Sequence, residues 1–435
     1  MTTYGDKQEP GIITDLTSSA AVPTSGDAPS NLGIVGQADL ANATDPADIT
    51  KVYQVTRASK AVEWFGPKES SLLTQGVIDA LNEGAYPVYA VATEETQVDG
   101  EDISGVSSTT IDLANAPIRE DPDSITVTLD GSDLTPEKVY DDVSTYSPDA
   151  GNCVYNPVRG VVELPGTPGD SDDTNDTVDY ETFDYAGGID VMVDTVPETI
   201  DFLVPLSENG SVVDDANFTV GNMENEYNLA LGVGGADIRL DPANFEQQYD
   251  DSRTQVLYPT RFEDNTSAIA AYAGFKAQLG LNTTPINKRL STNKRLAVTL
   301  NRAERGSLID KDVVPLADEA RGVRIVDDPT TVSDSNTDEQ NLQYGFNRLV
   351  ADYIIETTRA NQKPFIGKLN SATVRNTLEG MVSEQLTQLQ ESNTVLSYTV
   401  NIQKEDAVTA GLEMSVDLVE PLRFIENTVT IGNGG

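Results

Sequence analysis

The chain has 435 residues, enough for two to four domains, and 38% of them are hydrophobic, enough to supply their cores. Its 71 acidic residues against 28 basic ones give a formal charge of −43, which disfavours nucleic acid because no dense Lys/Arg cluster offsets it. The absence of histidine excludes Ser-His-Asp and Cys-His nucleophiles and His-bound zinc, and the single Cys153 excludes an intrachain disulfide.

In chain order, Pro10-Gly11-Ile12-Ile13-Thr14-Asp15-Leu16 is strand-like but has no apolar face that could fold alone. Asn31 to Ala38 reads as a short buried strand. Val52 to Thr56 is a second strand, leading to an amphipathic turn that ends in Trp64-Phe65-Gly66, with Trp64 and Phe65 as core anchors. Leu72, Leu73, Val77, Ile78 and Leu81 have helical spacing, and Pro87 to Val91 is a buried-type strand. From Glu95 to about Gly188 short strands alternate with turns: Ile125–Leu129 closed by Asp130-Gly131, then Val161–Leu164, then Tyr180–Tyr185. The linker Gly166 to Asp176 is acidic and rich in breakers, hence an exposed loop.

The α/β pattern returns near Ile189. Thr199–Pro205 and Thr254–Pro259 are buried-strand candidates, and Thr266 to Leu279 carries a helical apolar face. Arg295 to Leu308 reads as one helix, and Gly322 to Asp327 as a strand. Helices are predicted at about Leu342 to Gln362 and Ala372 to Glu391, separated by Lys363-Pro364-Phe365-Ile366-Gly367. Strands at Ser397–Ile402, Gly411–Val419 and Phe424–Ile431 close the chain. No apolar run reaches the roughly 18 residues of a membrane span, and the first residues lack a signal pattern, so folding in the cytoplasm is expected.

Chemical motifs are weak. Gly232-Val233-Gly234-Gly235-Ala236-Asp237 lacks both a following Lys-Ser/Thr and the spacing of a nucleotide fingerprint, and reads as a turn. Asp170, Asp172, Asp173, Asp176 and Asp179 lack the order of an EF-hand and read as loop acidity rather than a cation site. Glu94-Glu95 sits in hydrophilic surroundings. No constellation supports catalysis, and no cofactor or metal is implied. A carboxylate-based glycosidase would need an aromatic-lined cleft that 6% aromatic residues do not provide. A halophilic surface-layer or adhesin-like protein would need a signal peptide.

Four segments together resemble the tail sheath proteins of contractile, myovirus-type tailed viruses. The Val52–Thr93 block is similar to the family's strand, Phe-Gly, helix, Asn-Gly-Gly, Tyr-Val-Val order. Asn31–Ala38 is similar to its Val-Gly-x-Ala turn, with Asp45-Pro46-Ala47-Asp48 in place of the usual Gly-Pro loop. Ile269-Ala270-Ala271-Tyr272-Ala273-Gly274 resembles its Val-Ala-Gly helix, followed by Pro285. Gly322–Asp327 stands where the family has Gly-Ile-Arg-Val-Trp-Gly, without the Trp. The resemblance covers residues 4 to 93 and 195 to 432.

The resemblance implies an α+β multidomain protein: an arm at 1–20, an α/β core from 21–94 plus 189–335, an inserted all-β outer module at 95–188, a C-terminal α+β domain at 336–422 facing the tube, and a strand arm at 423–435. It further implies a structural, non-enzymatic role as a helical homo-oligomer of stacked rings around an inner tail tube protein. Baseplate and tail terminator proteins would be partners, with no nucleic acid and no membrane. Its place would be the virion tail, assembled in the host cytoplasm. Strand exchange between subunits would use Pro10, Gly11, Ile12, Ile13 and Leu16 at one end and Phe424, Ile425, Val429 and Ile431 at the other. The receiving strands would present Tyr398, Val400, Ile402, Leu412, Met414 and Val416, and Arg375 and Glu379 would mark a tube-facing helix. A virus-like contractile injection device fits the same pattern.

The charge points to a salt-saturated cytoplasm, that of a haloarchaeon, because a Debye length of about 3 Å near 1 M salt removes most of the self-repulsion. Below about 1 M salt the protein is expected to unfold or lose assembly, read by circular dichroism across a salt series. Unchanged stability in dilute buffer would overturn the halophile reading.

Overall fold

Strands that are apolar along their whole length need cover on both faces, which only a sheet sandwiched between helices supplies. The computed structural model describes residues 30–421, except residues 141, 170–175, 197–198, 226–227, 237–241, 334 and 337–338. The first elements are β1 (Leu32–Gly36), β2 (Tyr53–Val55), α1 (Ala58–Phe65), α2 (Leu72–Glu83) and β3 (Val88–Ala92). β1 and β3 are parallel with Leu32 opposite Val88, and β2 lies antiparallel outside β3. Gly66 ends α1 at a φ of 89°, where a Cβ would lie 2.2 Å from the Asp39 carbonyl oxygen, so only glycine fits. Ser71 caps α2 by accepting from the Thr74 N–H at 3.1 Å.

After β3 the chain leaves this sheet and builds another from β4 (Glu94–Asp102), β5 (Thr110–Asp112), β6 (Thr126–Leu129), β7 (Ser132–Lys138), β8 (Asn152–Asn156), β9 (Val161–Glu163) and β10 (Thr177–Asp184). Its order is β4-β10-β6-β7-β8-β9-β5. β4 and β10 pair antiparallel with Glu94 opposite Asp184, so the chain enters and leaves side by side. Asp130 and Gly131, at φ 49° and 70°, make the two-residue turn between β6 and β7. Ile111, Val127, Tyr155, Val162 and Tyr180 give this sheet a core of its own. β4 occupies one edge, and its exposed acidic residues oppose pairing with a foreign strand.

The chain returns through α3 (Tyr185–Thr195), β11 (Phe202–Pro205), α4 (Gly210–Asn225), β12 (Leu231–Gly235), β13 (Thr254–Tyr258), α5 (Ala268–Ala277), α6 (Arg302–Ile309), β14 (Val313–Glu319) and β15 (Gly322–Ile325). The core sheet has the order β15-β14-β13-β12-β11-β1-β3-β2 and is parallel except at its two edges. Ile34, Ala90 and Val204 join the cluster containing α2 and α5, whereas Val35, Val91 and Leu203 join that of α3 and α4. The C-terminal section consists of α7 (Gly345–Gln362), α8 (Ala372–Glu391), β16 (Val395–Lys404) and β17 (Ala410–Leu418).

Two of the expected elements take another form. Residues 231–235 form a buried interior strand, β12, rather than a turn, because β11 and β13 satisfy their backbone on both sides. Gly234 there lies so close to Val213 of α4 that a Cβ would come within 2.8 Å of its side chain. The helix read over Arg295–Leu308 starts only at Arg302. Residues before it are irregular rather than helical, with Arg295 and Arg261 carbonyls accepting from Glu263 and Ala297 N–H groups. Asn301 and Glu304 form a capping box that sets the start.

α5 is buried along all ten residues. It reaches α2 through Gly274, where a Cβ would meet Ala80 backbone at 2.6 Å. Gly274→Val is expected to destabilise the fold by about 2–3 kcal/mol in denaturant unfolding, because backbone on the facing helix cannot yield as a side chain can.

Candidate assembly interface

β16 and β17 are a hairpin in which Tyr398 faces Val416, Val400 faces Met414 and Ile402 faces Leu412. These six side chains share one face, and all but Ile402 pack with Val382, Leu386 and Leu389 of α8 and with Val350 and Ile354 of α7. Alternation places Thr399, Asn401, Glu413, Ser415 and Asp417 on the other, exposed face. Among the described residues no third strand pairs with either outer edge. A two-stranded sheet is marginal in isolation, and both edges offer unpaired backbone groups. Leu396 near the start of β16 and Val408 in the hairpin turn, 66% and 88% exposed, add apolar surface. The donor positions Pro10, Gly11, Ile12, Ile13, Leu16, Phe424, Ile425, Val429 and Ile431 lie outside the described residues.

Arg375 works within the chain: its Nη1 donates to Asn370 Oδ1 at 2.7 Å and Asn370 O at 3.2 Å. Asn370 Nδ2 in turn donates to Thr409 O at 3.1 Å, tying the hairpin turn to the start of α8. Glu379 is half-buried one turn further along α8. The acidic loop is not exposed throughout: Asp176 at its end is buried, and Asp176 and Asp179 both serve structure. Asp176 accepts from Asp130 and Gly169 N–H groups, and Asp179 accepts from Gly100 N–H. Asp170, Asp172 and Asp173 lie outside the described residues, and among those described no group of three acidic or cysteine side chains is placed to hold a metal.

Two buried polar clusters fasten α7, and through it the hairpin, to the core sheet. Asp328 Oδ1 accepts from Lys276 Nζ at 2.6 Å, Tyr272 OH at 2.6 Å and Gln255 Nε2 at 2.9 Å, while Oδ2 accepts from the Phe346 N–H at 2.9 Å. Burial pulls the Lys276 ammonium down from its ordinary value, and the Asp328 carboxylate opposes that fall. Nearly two turns along α7, Asp352 accepts from Arg253 Nη1 at 2.9 Å and Nη2 at 3.0 Å and also from Arg348. Burial alone would raise Asp352, but the two guanidinium groups hold it below the ordinary carboxylate value.

A third cluster joins the two sheets. Arg261 makes a two-pronged bond to Glu208, with Nε and Nη2 each 2.8 Å from a carboxylate oxygen, and pairs with Glu120 at 2.8 Å. Tyr140 OH donates to Glu120 at 2.6 Å, and its ring stacks on the guanidinium at 4.3 Å. Breaking such a buried pair leaves an uncompensated charge. None of these clusters was singled out from sequence. Lys276 inside the otherwise apolar AIAAYAGFKA helix was the one local signal.

The sequence matches no family profile and no curated protein. Solved structures do match in fold. The contracted helical sheath of the anti-feeding prophage has a TM-score of 0.58 at 13% identity, covering 98% of this chain and 99% of that one. The contracted sheath complex of PVC, an extracellular contractile injection system, gives 0.60 at 11%, covering 98% of each chain. A sheath tail protein from Listeria innocua gives 0.56 at 12%, covering 92% and 94%. The chain therefore has the mixed α/β, multidomain fold of contractile sheath proteins.

At the root of the N-terminal segment, Asp201 Oδ2 accepts from the Ser30 and Asn31 N–H groups at 2.7 and 2.8 Å. Burial pushes Asp201 up to about 6, against the pull of those two amides. Burial, together with Asp201 and Asp352, pushes Glu356 of α7 from an ordinary 4.5 up to about 8, with Arg253 opposing. The folded protein thus keeps a proton that the unfolded chain releases. The stability this provides is present below the unfolded value of 4.5 and is lost as pH rises through about 8. Glu356→Gln is expected to flatten that decline, raising the melting temperature at about pH 9 while leaving it unchanged near pH 4.

Proposed function

We propose that the chain is the subunit of a contractile sheath, a helical homopolymer around an inner tube that shortens on baseplate triggering and drives the tube through a cell envelope. The observation that carries this is the match of fold over nearly the whole length of both chains to sheaths in the contracted state. The open two-stranded hairpin supports it, since a subunit with unfilled sheet edges is completed by strands from others.

In this reading residues 1–20 and 423–435 are strand-donating arms, with Pro10, Gly11, Ile12, Ile13 and Leu16 in one and Phe424, Ile425, Val429 and Ile431 in the other. The receiving sheet is β16–β17, within a tube-facing domain of residues 336–422. Residues 21–94 plus 189–335 are the core domain, and 95–188 an outer module. Heterologous contacts that do not close generate a helical tube. Contraction is then passage of a kinetically trapped polymer to a lower state, with no nucleotide consumed. Arg375 and Glu379 are the polar candidates for tube contact. The charge of −43 supports a haloarchaeal virus as source. The two injection-system sheaths support a second reading, a virus-like device without a genome; neighbouring capsid and portal genes would decide for the virion.

Deleting residues 1–19 is expected to leave a folded, soluble protein that forms no tubes, whereas the full chain in about 2–3 M salt gives hollow striated tubes by negative-stain electron microscopy. Normal tubes from the truncated protein would overturn the arm assignment.

A further inference from the structure

Polymerising a chain of charge −43 sets copies against each other on almost every face, so an attractive contact needs an exception to the acidity. One stretch provides it. Nine of the 28 lysines and arginines lie between Lys288 and Arg324, a span with only five acidic residues. Part of this span lies at the β15 edge of the core sheet, while Lys294 pairs with Asp79 of α2 and Arg295 with Asp318 of β14. Residues 287–290 run alongside β15, with Arg289 opposite Arg324. Both side chains close on the single Glu319, at 2.8 and 2.6 Å.

Next to them is an open cleft of about 990 Å³, whose wall includes Arg302, Arg305 and Arg324 beside Ile309, Val326 and Pro329. Arg302 is exposed and makes no ion pair with a described residue, and Arg305 uses Nη1 on the Leu300 carbonyl at 2.5 Å. Asp310, Asp312 and the buried Asp327 share the wall, so Arg302 and Arg305 are what the cleft offers an acidic partner.

The complementary surface lies elsewhere on the molecule. Phe218 of α4 is 71% exposed. Asp214 and Asp215 precede it on the same helix, and α3, packed beside α4, contributes exposed Asp190 and Asp194. Burial and then the neighbouring Asp214, Asp184 and Asp190 raise Asp215, so these carboxylates crowd one another. α3 and α4 pack on β1, β3, β11 and β12, whereas the basic corner is at β15, with β13 and β14 between. One copy cannot bring the two surfaces together, but two copies in head-to-tail order can.

We propose that the cleft beside β15 receives the α3–α4 face of a second copy, with Phe218 seated on Ile309, Val326 and Pro329 and the surrounding aspartates met by Arg302 and Arg305. An aromatic anchor in a cleft with a charged rim is the usual division of labour at an interface, the ring supplying affinity and the charges register. High salt weakens the rim but strengthens burial of the ring, so the contact survives where the global repulsion is screened. The contact is heterologous and does not close on itself, which suits a helical polymer. It rests on the sheath reading only for its place in the assembly, and is independent of the terminal arms.

The test uses the full chain with a photoreactive benzoylphenylalanine at position 218, irradiated in a series of salt concentrations and digested for mass spectrometry. Cross-links between copies, from 218 to peptides spanning 302–309 or 324–329, are expected. Arg302→Glu with Arg305→Glu should cut their yield about tenfold, and Asp214→Arg with Asp215→Arg in the photoreactive copy should restore it. No cross-linked dimer, or cross-links only elsewhere, overturns the proposal, and a melting curve like that of the unaltered chain confirms that each variant is folded. Tubes without this cross-link sink the contact and leave the sheath reading standing. The cross-link without tubes at any salt does the reverse.

Discussion

The burial of Asp328 is the constraint on which the rest of the molecule hangs. A carboxylate with no solvent exposure is tolerable only if every lone pair is engaged, and four donors from three parts of the chain converge on it: Lys276 and Tyr272 from α5, Gln255 from β13, and the Phe346 N–H at the start of α7. Gly345 sits so near that a Cβ would come within 2.3 Å of Lys276 Nζ. The direction in which α7 leaves the core is therefore set by hydrogen bonds that cannot be given up singly. The Arg253–Asp352–Arg348 cluster repeats the arrangement nearly two turns along and fixes the rotation of the helix.

With α7 held in this way, α8 and the β16–β17 hairpin are carried as one piece. Their shared apolar cluster contains no residue of the core sheet. Among the described residues the hairpin keeps both outer edges unpaired while α7 and α8 hold it in place. The Arg261 cluster does the equivalent for the seven-stranded sheet, whose two chain crossings at β4 and β10 would otherwise act as a hinge. In the proposed sheath, such joints would let each subunit move as a body and confine change to the contacts between subunits.

The charge has two separate parts. Most acidic residues are solvated and act collectively, through repulsion that salt screens. The few basic residues are used individually: Arg253, Arg261, Lys276 and Arg348 are buried at joints, and much of the remainder is gathered between positions 288 and 324. A chain with so few cations places them where a specific pairing is required.

The sequence by itself determined the elements whose signal is local. α2, α8 and the paired strands β16 and β17 follow from apolar spacing and caps, the β6–β7 turn from Asp130-Gly131, and the change to a β-rich middle from composition. The Asn301/Glu304 capping box that sets the start of α6 is equally local. Tertiary structure decided what depends on distant neighbours. Gly232–Gly235 has the composition of a turn and becomes an interior strand because β11 and β13 bond it on both sides and α4 needs the missing side chains. The joints pair Arg261 with Glu208, 53 residues away, and Arg253 with Asp352, 99 residues away. Periodicity and capping act over a few residues, whereas a buried charge is matched by whatever the fold brings to it, so those partners exist only once the chain has closed on itself.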